Sequence, residues 1–129
     1  MNDTTTPTGL QHLVAIRDGR APAAPIQAVL DFRLVRVSEG SAAFLYRPVA
    51  AHRNPLGTVH GGVAMTLPDS ASGAAVHSTL PAGRGYTTVE TKVNLVRAVR
   101  PTTGPLRRSR RNATGRAREH RRRLGLASP

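Results

Sequence analysis

The stretch that decides the fold is TVHGGVAMTLPDS, Thr58 to Ser70. Two glycines follow a histidine, and small and apolar residues follow them. Ala64, Leu67, Ala71, Ala74 and Ala75 recur at helical spacing, which predicts a helix from Gly61 to about Thr79 with one apolar face. That face is built from small side chains, so another layer can approach it closely. Asp69 lies ~140° round the helix from Ala64, turned away from the face. Pro68 stands directly before it, where a mid-helix proline removes one hydrogen bond and costs ~3 kcal/mol.

Outward from this helix the pattern changes. Gly9 to Arg17 holds Leu10, Leu13, Val14 and Ile16, which predicts a short amphipathic helix ended near Gly19. Residues 20–25 are an Ala/Pro-rich connector, and Ile26 to Leu30 predicts one further turn. Asp31 to Val37 and Ser41 to Val49 are rich in strand formers, and SerGluGly at 38–40 marks a hairpin between them. Residues 50–59 read as a loop. Downstream, Tyr86 to Val99 alternates, with Val89, Val93, Leu95 and Val99 on one side and Thr88, Glu90, Lys92 and Asn94 on the other. This predicts a long half-buried strand, ended at Pro101 to Pro105. The expected class is α+β, with an antiparallel sheet covering a central helix.

The glycines suggest a chemistry. A helix N-terminus presents free N–H groups and the positive end of the macrodipole. Glycine lets a ligand approach that backbone. Gly61 and Gly62 can thus form an oxyanion hole for a carbonyl oxygen gaining charge. Asp69 can act as a general base toward water or as a nucleophile. Gly61 and Asp69 lie ~12 Å apart along one helix, too far to meet at one reacting carbon. Two antiparallel copies of the helix bring them together, so the reading requires a dimer with its site at the interface.

These residues also carry a resemblance. AsnProLeuGlyThrValHisGlyGly at 54–62, Asp69, and TyrThrThrValGluThrLysValAsn at 86–94 resemble the hotdog-fold thioesterases of the PaaI (phenylacetate-degradation) type. The resemblance covers roughly Pro25 to Gly104. It implies hydrolysis of acyl-CoA thioesters by a homodimer or homotetramer, without a metal or cofactor. It implies that Asp69 activates water or attacks, and that Gly61 N–H polarises the carbonyl. Asn54 and His60 would orient the substrate and support the loop. Thr88 would hold the water or the acid, with Thr87 as the alternative. Gly57, Gly62, Thr87 and Val89 would contact the substrate.

Composition sets the outer limits. The chain has 129 residues, 39% hydrophobic and only 3% aromatic, with no cysteine, so its core must come mainly from Val, Leu and Ala. Its N-terminus lacks a signal-peptide pattern and no uncharged stretch reads as a membrane span. A cytoplasmic protein with no membrane partner is expected. His12, His52, His77 and His120 lack metal-ligand spacing. Of the formal charge of +12, two thirds lies in residues 105–129, which carry nine arginines and one glutamate. Three regions follow: helix and connector at 1–24, an incomplete hotdog domain at 25–104, and a disordered Arg-rich tail at 105–129. The family continues with two more strands where this tail stands. Its arginines are not expected to form a buried strand. A reading-frame change near Leu106 would produce such a tail, because alanine and glycine codons of a GC-rich gene often become arginine codons out of frame. Two alternatives stand beside the enzyme. One is an inactive, truncated or frameshifted remnant. The other is nucleic-acid binding through the tail, for which stacking aromatics and a recognition helix are absent, leaving incidental contact.

Overall fold

In a computed structural model, the structure describes residues 6–111. The chain opens with α1 (Gly9–Arg17), whose capping box joins Thr8 and Gln11, and continues with α2 (Pro25–Val29), which starts on a proline. β1 (Phe32–Ser38) and β2 (Ser41–Tyr46) then form the expected hairpin, turning at Gly40 with φ 71°. A short 3-10 turn, Ala50–His52, leads into α3 (Gly61–His77), as the small-residue pattern predicts. A second 3-10 turn, Pro101–Thr103, precedes β3 (Leu106–Arg111). The three strands make one antiparallel sheet in the order β1-β2-β3. A bulge at Val35 shifts the register between β1 and β2.

The core lies between this sheet and α3, which packs on β2 and β3, while α1 packs on β1. Phe32, Leu34, Phe44 and Tyr46 meet Leu67, Ala71, Ala74 and Ala75. Ala71 and Ala75 are wholly buried. Their methyl groups set how closely the helix approaches the sheet. α3 runs unbroken through Pro68, which is itself buried. The proline therefore does not end the helix, and its apolar ring faces the interior.

Two expectations are corrected. Tyr86 to Val99 forms no strand. It runs alongside α3 with no ladder partner among the described residues, and Val89, Leu95 and Val96 are exposed. Alternation marks a chain suited to pairing, but pairing needs a neighbour. The second correction concerns the tail, which was expected to lack regular structure from residue 105. Residues 106–111 instead pair with β2. Leu106 is half-buried, while Arg107 and Arg108 are exposed, so neither of these two charges is buried by the pairing. Arg108 continues the row of Leu34 and Phe44 but lies at the sheet margin, where a long side chain reaches water. The remainder of the expected tail, 112–129, lies outside the described residues, as do residues 1–5 and His120.

Candidate active site

The loop before α3 is built by its own polar groups. Asn54 Oδ1 accepts from the backbone N–H groups of Leu56 and Thr58 at 3.0 and 3.2 Å, and its Nδ2 donates to Thr58 Oγ1 at 2.9 Å. Gly57 takes φ 81° and its N–H donates to the Asn54 carbonyl at 3.0 Å, so glycine is needed there for the turn. Val59 bridges Arg53, and His60 N–H donates to the His52 carbonyl at 2.8 Å. Beneath this lies a buried pair, Tyr46 Oη and His52 Nδ1, 2.9 Å apart with their rings stacked. Burial, with a smaller push from Asp31, raises the Tyr46 phenol pKa.

The loop delivers the start of α3. His60 is the N-cap, and its Nδ1 accepts from Gly62 N–H at 2.9 Å. Its ring proton therefore sits on Nε2. Gly61 N–H has no acceptor among the described residues. A Cβ added at Gly61 would meet Leu95 Cδ1 at 3.0 Å.

Two turns further on, Asp69 leaves the helix on the side away from the core. Its Oδ1 accepts from Thr88 Oγ1 at 2.8 Å and from Thr91 Oγ1 at 3.3 Å. Oδ2 has no hydrogen-bond partner among the described residues. In a flat strand residues 88 and 91 would face opposite ways. A bend at Val89 turns both hydroxyls to one carboxylate oxygen. Asp69 opens on a groove of about 350 Å³ lined by Gly62, Met65, Thr66 and Asp69 on α3 and by Thr88 to Thr91 and Val93 opposite.

Of the sequence-predicted residues, the groove thus gathers Asp69, Thr88, Gly62 and Val89. Thr88 rather than Thr87 reaches Asp69. Asn54, Gly57 and His60 shape the loop and the helix start. Gly61 is set off from Asp69 by eight residues of one helix, ~12 Å along its axis. Thr91 and Tyr86 were not foreseen. Thr91 was hidden by the alternation, which assigns it to the other side. Among the described residues no three His, Cys, Asp or Glu side chains gather as metal ligands. No helix there is long and apolar enough to cross a membrane.

Fold and site define a class: an antiparallel sheet on a central helix whose N-terminus follows His-Gly-Gly, the hotdog arrangement. Within it, the thioesterase superfamily model matches residues 56–111. A phenylacetic acid degradation-related protein of Ralstonia eutropha JMP134, provisionally assigned as a thioesterase, is 25% identical over 78% of this chain and 76% of its own, with a TM-score of 0.69. A conserved protein of Pseudomonas aeruginosa is 29% identical over 69% and 70%, with a TM-score of 0.64. The Escherichia coli PaaI protein from the phenylacetic acid degradation operon shares the fold at 17% identity, over 79% and 71%, with a TM-score of 0.64. No curated protein matches the chain. The chain thus shares the hotdog fold, and over residues 56–111 it is similar to the thioesterase superfamily, with PaaI-type proteins among its structural neighbours.

Proposed function

We propose that this chain hydrolyses acyl-CoA thioesters to a free acid and CoA, at a site that two copies complete. The observation that carries the reading is the state of Asp69. One carboxylate oxygen is held by two hydroxyls, and the other is open to the groove. A base held this way has its reactive oxygen oriented without losing it to another donor.

In this reading Oδ2 takes a proton from water as the water oxygen bonds to the thioester carbonyl carbon. Alternatively, Oδ2 itself attacks, giving a mixed anhydride that water then opens. In both routes the carbonyl oxygen gains negative charge, and Gly61 N–H of the other copy stabilises it beside the helix N-terminus. Collapse breaks the carbon–sulfur bond. In the first route the proton held by Asp69 goes to the departing thiolate. In the second the thiolate leaves as the anion and is matched by the proton released when water opens the anhydride. Asn54 and His60 keep the loop and cap in place so that this N–H stays free. Gly57, Gly62, Thr87 and Val89 are assigned to substrate contact, with Gly62 and Val89 already in the groove. The exposed segment 86–99 is where the second copy would sit. The partners are the acyl-CoA and a second copy, and the location is the cytoplasm.

The test is thiol release from phenylacetyl-CoA and a short acyl-CoA panel, with Asp69→Ala beside the native chain. Turnover lost in the variant supports the reading. A soluble, folded dimer with no turnover refutes it. The second reading, an inactive remnant, draws on the apolar residues left exposed along 86–99. It predicts aggregation and no thiol release.

A further inference from the structure

The segment that carries Thr88 and Thr91 has no ladder partner among the described residues, yet both hydroxyls converge on one oxygen of Asp69. Something upstream must fix its position. Downstream it is tied where Val99 C=O accepts from Val59 N–H at 2.8 Å, eight residues past Thr91. Upstream, Tyr86 lies against Gly73 of α3. Gly73 is buried and four residues after Asp69, so it sits one turn further along the same side. A Cβ added at Gly73 would overlap the Tyr86 hydroxyl oxygen and come 2.5 Å from Cε2 and 2.7 Å from Cζ of the ring, so both the hydroxyl and the ring would have to move. The ring also meets the edge of His77, with centroids 5.6 Å apart at 61°. The side chain is 46% exposed, so the seat covers only part of it. Partial burial, and then the charge of Asp69, raise the Tyr86 phenol pKa.

We propose that Tyr86, seated on Gly73, is a positioning residue that sets Thr88 and Thr91 on one oxygen of Asp69 and so leaves the other free to react. This rests on the reading of Asp69 as the acting carboxylate. The ring does the seating. No hydrogen bond joins its hydroxyl to another described residue, so phenylalanine should serve as well. Gly73 leaves the gap the ring occupies, so a methyl group there should act as loss of the ring does.

The experiment compares Tyr86→Ala, Tyr86→Phe and Gly73→Ala in the full chain. Two quantities are read: steady-state thiol release, and the NMR signals of the Thr88 and Thr91 methyl groups. Tyr86→Ala and Gly73→Ala are expected to lower kcat about 10- to 100-fold, as a small misplacement of a reacting group does, with KM within about twofold. Both should move the two methyl signals toward their positions in Asp69→Ala. Tyr86→Phe should restore kcat and both signals. Adding Gly73→Ala to Tyr86→Ala should change little further, because the ring it displaces is gone. The proposal is overturned if Tyr86→Ala leaves the methyl signals in place, if KM rises while kcat holds, or if Tyr86→Phe is as damaging as Tyr86→Ala. A native chain without turnover refutes the thioesterase reading, while the methyl signals still decide the positioning.

Discussion

Gly61→Pro separates the backbone N–H of that residue from every other property of the site. Gly61 is the first residue of α3, where proline is well tolerated because its missing N–H has no intrahelical acceptor. The preceding residue, His60, has φ −59° and ψ 134°, the extended geometry that a following proline requires. The added Cβ meets only Leu95 Cδ1, at 3.0 Å, the end of a flexible and exposed side chain. Folding stability should therefore stay within ~1 kcal/mol of the native value. If Gly61 N–H is the oxyanion donor, turnover should fall about 10²- to 10³-fold, or ~2.7–4 kcal/mol. The assay is thiol release at saturating acyl-CoA, with Gly61→Ala as the comparison, since alanine adds the same Cβ but keeps the N–H. Equal turnover in the proline and alanine variants, with both folded, would refute the donor role.

Three further outcomes are expected. His60→Ala removes the N-cap and should cost about 1 kcal/mol, which lowers Tm by ~4–5 °C for about 100 ordered residues, whereas His60→Ser should recover most of it in thermal unfolding. Tyr46→Phe leaves the buried His52 Nδ1 without its partner and should cost about 1–3 kcal/mol, read by urea unfolding. Burial, helped by neighbouring His12, holds the His77 pKa below its ordinary 6.5, so the folded state binds the proton more weakly than the unfolded chain. Its contribution is then complete above about pH 6.5 and declines as pH falls toward the lowered folded value, so His77→Gln should reduce the loss of stability between about pH 7.5 and pH 5.5.

Much of this was legible in the sequence because the signals were local. The glycine pair, the spacing of Ala71, Ala74 and Ala75, and the hairpin turn at 38–40 each act through their own neighbours. So α3 and the β1–β2 pair appear where they were expected. Asp69 also read correctly as turned outward, since helical geometry alone decides that angle. What failed depends on distant partners. Val89, Val93 and Leu95 alternate as a strand should, yet no described strand lies beside them. Arg107 and Arg108 read as unable to form a buried strand, within a tail expected to be disordered. Backbone pairing to β2 needs no apolar side chain when the strand lies at an exposed margin. Thr91 was missed because a single bend at Val89 overrides the two-residue period. Pro68 read as a mid-helix proline that costs the helix a hydrogen bond, yet the helix continues and Asp69 reaches both threonines.

The margin formed by β3 also governs how copies of the chain behave when crowded. An open strand edge offers unpaired N–H and C=O groups to any other extended chain. Along this one, four of six residues are arginine. Two such edges side by side would bring like charges together well inside the Debye length of ~8 Å at physiological ionic strength. No further strand pairs with β3 among the described residues, so its exposed Arg107 and Arg108 act as a repulsive fence against edge-to-edge stacking. Added salt lowers that fence without touching the core, so precipitation at constant temperature should follow ionic strength.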